Sequence, residues 1–266
     1  MNDRRLQLVC CYSCWGCLVL FGLGWVVLAG FLPPPSPAAT AAQVAHQFRG
    51  NTTGIRIGMI LSILGSALLL PWGGAVAAQM RRIDSRGGAL VWAWIAAQGA
   101  ILIEFIYPCA FWCVAAFRLG DPTRIQSFND LAWLPFFGIV ATGMFQMVAL
   151  AALTLLDKRP EPVFPRWFAY FQLWCVAGVA PAEFVFVFKT GPLAWNGLLS
   201  YWVALTAAFA WLAVTTIMTA RAIKRTPDNE DQVSADGVGE LRERLSAIEA
   251  ELADSRLTGA SAPATL

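Results

Sequence analysis

The chain has very little histidine and little charge of either sign. Its single histidine is His46, and 14% of its 266 residues are charged. The iron and copper centres of membrane hydroxylases and desaturases need several imidazole ligands, and a bis-histidine haem needs two. The sequence therefore excludes both. No long apolar segment contains a lysine, which also excludes a retinal Schiff base.

The familiar catalytic motifs are missing as well. The chain has no nucleophile elbow, no phosphate-binding loop, no HExxH and no paired-aspartate metal pattern. We therefore expect no cofactor and no bound metal, and the sequence favours a protein without catalytic activity.

Apolar residues, by contrast, make up 58% of the chain, and the mean hydropathy is +0.58. A helix needs roughly 20 apolar residues to cross a bilayer. Runs of that length lie near 9–32, 55–79, 89–116, 130–156, 166–188 and 198–220. Lipid offers no partner for open backbone groups, so each run must be helical. The sequence predicts an all-α integral membrane protein with a six-helix transmembrane domain over residues 1–225.

Basic residues indicate the orientation of these spans. Four basic clusters lie at the N-terminus, in every second connection between spans and after the last span, which places them all on one side of the membrane. They are Arg4 and Arg5; Arg81, Arg82 and Arg86; Lys158, Arg159 and Arg166; and Arg221, Lys224 and Arg225. The positive-inside rule places them, and with them both termini, in the cytoplasm. The basic charge therefore serves orientation, and we expect no nucleic-acid partner. The arginine-rich composition is typical of a bacterial genome, which predicts a location in the cytoplasmic (inner) membrane.

The first run has an alternative interpretation as a cleaved signal peptide. Arg4 and Arg5 precede it, and Ala39-Thr40-Ala41 is typical of a processing site. Its apolar stretch is longer than the roughly 7–15 residues of signal peptides, so the sequence favours a retained span.

Residues 226–266 form an acidic tail that contains a short heptad pattern. Apolar residues recur at intervals of three and four over 238–252, at Val238, Leu241, Leu245, Ile248 and Leu252. This spacing predicts an amphipathic or coiled-coil helix followed by a disordered end. A helix this short is only marginally stable by itself. We therefore expect it to self-associate or to dock on another membrane subunit. The alternative is a solitary amphipathic helix that lies on its own protein.

Four cysteines, Cys10, Cys11, Cys14 and Cys17, cluster at the start of the first span. Helical spacing places Cys10, Cys14 and Cys17 on one face and Cys11 on another. A tetrahedral metal site needs four converging ligands, so packing between helices is favoured over a thiolate site. In the second span Gly58, Ser62, Gly65 and Ser66 predict a face on which a neighbouring helix approaches closely.

Two acidic residues within the spans, Glu104 and Glu183, need an explanation. A charge at the bilayer centre costs roughly 3 kcal/mol, so it is kept only for a structural or functional reason. Each has a proline close by, Pro108 and Pro181, and prolines open helices. With Tyr107 and Asp130 they predict an acidic cavity open to the outside that binds a proton, a cation or a small solute.

Gln172 lies three helical turns from Glu183 and extends this polar face. Alternatively the acids pair with Arg56, Arg118 and Lys189 and only fix the register of the helices.

Three functions remain open at this stage. The first is a non-catalytic subunit or scaffold of a membrane complex, which can be a homo-oligomer if residues 238–252 join copies of the chain. The second is a proton- or cation-coupled carrier or channel that uses Glu104 and Glu183, although the two halves show no inverted repeat. The third is a membrane-embedded enzyme for a lipid or isoprenoid, with Tyr107 and the two glutamates as acid and base.

Overall fold

The computed structural model describes residues 3–84, 88–226 and 245, and this part of the chain is helical without strands. Its α-helices are α1 Asp3–Gly22, α2 Ala41–Gly50, α3 Thr52–Ala67, α4 Leu69–Ile83, α5 Ala89–Phe117, α6 Pro122–Gly138, α7 Ala141–Leu156, α8 Arg166–Val179 and α9 Ala204–Arg225. Two π-helical stretches, Leu23–Leu28 and Leu198–Val203, and one 3₁₀ stretch, Ala180–Phe186, extend α1, α9 and α8.

Six of the helical segments are long and apolar enough to cross a membrane, which confirms a multi-pass membrane protein. The segments are Arg4–Leu28, Thr52–Ile83, Ala89–Phe117, Pro122–Leu156, Arg166–Phe186 and Leu198–Arg225. The fourth begins earlier than its apolar run, because Asp121 caps the first turn through the backbone N–H groups of Thr123 and Arg124.

Two spans are interrupted inside the membrane. The second breaks at Leu68, where α3 ends one turn before Pro71, and a proline supplies no N–H to the carbonyl four residues earlier. The fourth breaks at Ile139–Val140, just after Gly138, whose missing side chain makes room for the Phe186 ring. Helix α5, by contrast, stays helical through Pro108.

Polar contacts gather the chain at the two ends of the helix bundle. At one end the Gln79 side chain donates to Gln7 at 3.0 Å, and Arg82 donates to Gln79 at 2.9 Å. We call this the basic end, after Arg81 and Arg82 in the last turn of α4. At the other, the loop end, Arg49 donates to the carbonyl of Leu119 at 2.7 Å.

The small-residue face of the second span is confirmed. Gly58, Ser62, Gly65 and Ser66 are buried, and a side chain on Gly58 would meet the backbone of Gly24 in the first span. The connection between these two spans contains α2, which a capping box between Thr40 and Gln43 starts.

The N-terminal cysteines lie against neighbouring helices to different extents. Cys11, Cys14 and Cys17 are buried, whereas Cys10 is half-buried. Cys11 Sγ donates to the Thr216 carbonyl at 3.3 Å, so α1 turns this side of its surface toward α9. Among the described residues no three His, Cys, Asp or Glu side chains are placed to hold a metal ion.

Candidate functional site

Glu104 lies on the buried face of α5, near the middle of the span. Its neighbours on that face are Ile101 and Pro108, and the Glu104 side chain is itself only 8% exposed. Oε1 of Glu104 is buried and has no hydrogen-bond partner. One oxygen of a carboxyl group in the middle of a membrane protein therefore lacks the partner that such atoms normally have.

Two other side chains come close to this carboxyl. The Thr142 hydroxyl lies beside Glu104, and the Glu183 carboxyl lies within electrostatic range of it. Oγ1 of Thr142 and Oε1 of Glu183 are also buried without a hydrogen-bond partner. Three polar oxygens thus meet in one region, and the interaction of the Thr142 hydroxyl with the Glu104 carboxyl is the polar contact closest to forming there.

The irregular parts of the fold bring these groups together. Thr142 stands in the first turn of α7, directly after the break in the fourth span. Glu183 belongs to the 3₁₀ stretch that follows α8, and Phe186 of that stretch packs against Gly138 at the break. The break and the 3₁₀ stretch therefore flank Glu104, which lies on an unbroken helix.

Glu104 also lines a cavity between the second, third, fourth, fifth and sixth spans. The cavity contains about 840 Å³ of empty space, including its opening. Its wall is almost entirely apolar and aromatic, with Trp72, Phe105, Phe136, Phe137, Phe209 and Trp211 as its largest side chains. A cavity of this lining does not suit a hydrated solute, because it offers few groups to replace lost water.

The other predicted site residues lie elsewhere. Tyr107 is 54% exposed, and its ring packs beside Phe111 rather than on the cavity wall. Asp130 interacts with the Asn129 side chain and lies within electrostatic range of Lys189 near the loop end. Neither residue lines the cavity.

Gln172 is fully buried and tied to α9. Its amide donates to Thr215 at 3.2 Å and accepts from the Trp211 indole at 2.6 Å. These bonds hold α8 against α9, and they account for the amide without a ligand. Gln172 therefore links two helices.

The predicted ion pairs of the acids with arginine do not form in the described part of the chain. Arg56 donates to the carbonyl of Ala116, at the end of α5. Arg118 is exposed. Lys189 acts electrostatically on Asp130, and no salt bridge joins Glu104 or Glu183 to a basic side chain among the described residues.

Sequence reasoning found the two glutamates but not the cavity. Its wall is built from ordinary apolar residues of five spans, and no sequence signal distinguishes them from lipid-facing ones. Thr142 carried a weak signal, as one member of a polar stripe with Gly138 and Gln146.

Comparison with known proteins gives no guidance: the chain matches no family model, no curated protein and no solved structure. A functional proposal therefore depends on the site alone.

Proposed function

We propose that this membrane protein is a carrier that binds a proton or a small cation at Glu104 and couples this binding to the movement of a solute. The observation that supports it is the buried Oε1 of Glu104, which has no partner and lies beside Thr142 and Glu183. An unpaired carboxyl at this depth costs folding free energy, so a role in binding explains its presence better than a role in packing.

The proposed route follows the irregular helices. Glu183 stands between Glu104 and the loop end, where the fifth span ends at Phe186. In the orientation that the basic clusters predict, the loop end faces away from the cytoplasm of a bacterium. A proton entering from that side meets Glu183 first and Glu104 second.

The first experiment measures protonation of Glu104 directly. The infrared difference spectrum of the purified protein in lipid, between acidic and alkaline pH, should contain the carbonyl stretch of a buried carboxylic acid. This band should disappear in Glu104→Gln and change in Glu183→Gln. A matched control is Glu161→Gln, because Glu161 is exposed between α7 and α8.

The same samples distinguish a proton from a cation. Addition of Na⁺ or K⁺ at constant pH should remove the band only if a cation replaces the proton. A band that is identical in Glu104→Gln and in the parent, with and without these salts, would contradict the proposal. Loss of the band in Glu161→Gln would contradict it equally.

The function of subunit or scaffold is a second proposal, and the heptad pattern supports it. Leu245 is helical and 57% exposed, and Val238, Leu241, Ile248 and Leu252 lie outside the described residues. Deletion of residues 236–256 should reduce the size of the detergent-solubilised particle if the tail joins copies of the chain. An unchanged monomer would contradict this proposal and leave the carrier function intact.

A further inference from the structure

We propose that the ligand of the cavity is a lipid-soluble amphiphile: an apolar body with a single amine or hydroxyl group that donates a hydrogen bond to Glu104. This inference deepens the proposed function, on which it rests for the role of Glu104, by naming the class of solute. It depends on the chemistry of the cavity wall.

The wall selects an apolar body. Every large side chain around the cavity is aliphatic or aromatic, apart from the carboxyl group of Glu104 and the indole N–H groups of Trp72 and Trp211, and the N–H of Trp211 donates to Gln172. The cavity is lined by residues of five spans, so its apolar wall surrounds a bound molecule on several sides. An apolar molecule that enters from lipid gains van der Waals contacts with this wall.

The polar group of the ligand is determined by Glu104. Its side chain is more than nine-tenths buried, lines the cavity and has an oxygen without a partner. When Glu104 has released its proton, the carboxylate accepts hydrogen bonds only, so a donor on the ligand takes the place of the proton, and a cationic amine also compensates the charge. A carboxylate ligand would place like charges together and be rejected.

A second unpartnered atom limits where the apolar body lies. The Trp72 indole Nε1 is buried without a partner. Trp72 precedes Gly73, which packs against Gln98, and Gln98 precedes Glu104 by six residues, or roughly 9 Å along a helix. The cavity therefore extends from Glu104 toward the basic end, with Trp72 beside the far part of the ligand.

Access is from the hydrocarbon region. Leu205, Ala208 and Phe209 line the cavity and are only half-buried. They lie in the first half of the sixth span, Leu198–Arg225. The wall is therefore thinnest on a surface that contacts lipid, and a lipid-soluble molecule reaches it without crossing an aqueous phase.

The test uses three bromine-tipped probes of equal chain length: bromododecylamine, bromododecanol and bromododecanoate. Bromine quenches tryptophan on contact, and Trp72 and Trp211 line the cavity. With the protein in lipid nanodiscs, the amine and the alcohol should quench with a saturable component. The carboxylate should give only the linear quenching that partition into lipid causes.

Variants assign the saturable component to the cavity. Ala208→Phe fills the space and should abolish it, whereas Ala210→Phe on the same helix lies outside the cavity and should retain it. Val140→Phe fills the space from the opposite wall and replaces Ala208→Phe if that variant does not fold. Glu104→Gln should weaken the amine about ten-fold or more, as expected for loss of a hydrogen bond to a charged group.

Equal saturable quenching in Ala208→Phe and Ala210→Phe, or by the carboxylate and the amine, would overturn the inference. The infrared band of Glu104 separates this failure from failure of the proposed function. If the infrared band is present but no probe quenches saturably, the proton site of Glu104 is retained and the amphiphile site is contradicted. Saturable quenching without the band removes proton binding and keeps the amphiphile site.

Discussion

The close crossing of the first two spans gives the sharpest prediction for the fold. Gly58 of α3 faces Gly24 of the first span, and the position of a side chain on either glycine is occupied by the backbone of the other. Gly58→Ala would place its methyl group on the Gly24 carbonyl oxygen and 3.1 Å from Cβ of Leu28. Neither neighbour is the end of a flexible side chain, so the two helices must separate.

The magnitude follows from two opposing contributions. Overpacking a tight contact costs about 1–3 kcal/mol, and the upper part of that range applies when backbone is the obstacle. Alanine in place of glycine returns about 0.5–1 kcal/mol of helix stability. The net loss is about 2 kcal/mol. For a chain of this size each kcal/mol lowers the melting temperature by about 2–4 °C, so Gly58→Ala should melt about 4–8 °C below the parent.

The assay is thermal unfolding in detergent, followed by tryptophan fluorescence and by the monodisperse fraction after heating. Gly22→Ala and Gly99→Ala are the matched controls, because open space surrounds both glycines. They should melt at or slightly above the parent temperature. Gly24→Ala should match Gly58→Ala, and the double variant should lose less than the sum, since both remove one contact. A Gly58→Ala protein as stable as Gly22→Ala would refute the close crossing.

Two further predictions concern polar groups. Gln98 joins three spans, because its amide donates to the Leu69 carbonyl at 2.9 Å and accepts from Gln146 at 2.9 Å. Gln98→Leu should lower the free energy of unfolding by about 0.5–2 kcal/mol, measured in the same melting assay. An unchanged melting temperature would contradict this role of Gln98. After α7, hydrogen bonds from the Arg159 side chain hold the pKa of Asp157 below its usual value. The resulting stability is complete above the unfolded pKa of about 3.9 and is lost as pH falls through the lower folded value, so Asp157→Asn should flatten the acid limb of the stability profile.

The spans were predictable because hydropathy and length determine them independently of tertiary contacts. Their ends were less so. Residues 122–129 are mixed in polarity and gave no apolar run, yet Asp121 and Pro122 start a helix there that continues into the membrane. A helix extends past the hydrocarbon region when a capping residue begins it there, and hydropathy does not detect such caps.

The candidate site was predictable only in its charged members. Glu104 and Glu183 stand out because lipid makes any ionisable group an exception. The relation between Gln172 and Glu183 was less secure, since eleven residues return to the same face only in a regular α-helix. The chain tightens to a 3₁₀ stretch at Ala180, with 3.0 residues per turn, and this changes the face on which Glu183 lies.

The cavity depends on the rotation of five helices about their axes, which sequence periodicity constrains weakly. Helix α5 illustrates this, because Glu104 and Tyr107 are one turn apart yet only Glu104 lines the cavity. When a span is apolar on all of its faces, its sequence does not indicate which face points into the bundle. Rotation is then determined by packing, through contacts such as Gly73 against Gln98.

The buried amides and the buried carboxyl of this fold differ in what they contribute to it. Gln79, Gln98, Gln146 and Gln172 each form a hydrogen bond to another helix, so their cost of burial is offset by links that the fold uses. Oε1 of Glu104 has no such link, and its burial is a cost without structural return. Stability alone would favour leucine or glutamine at this position. This cost is the reason for proposing that Glu104 binds a ligand from the apolar cavity that it lines.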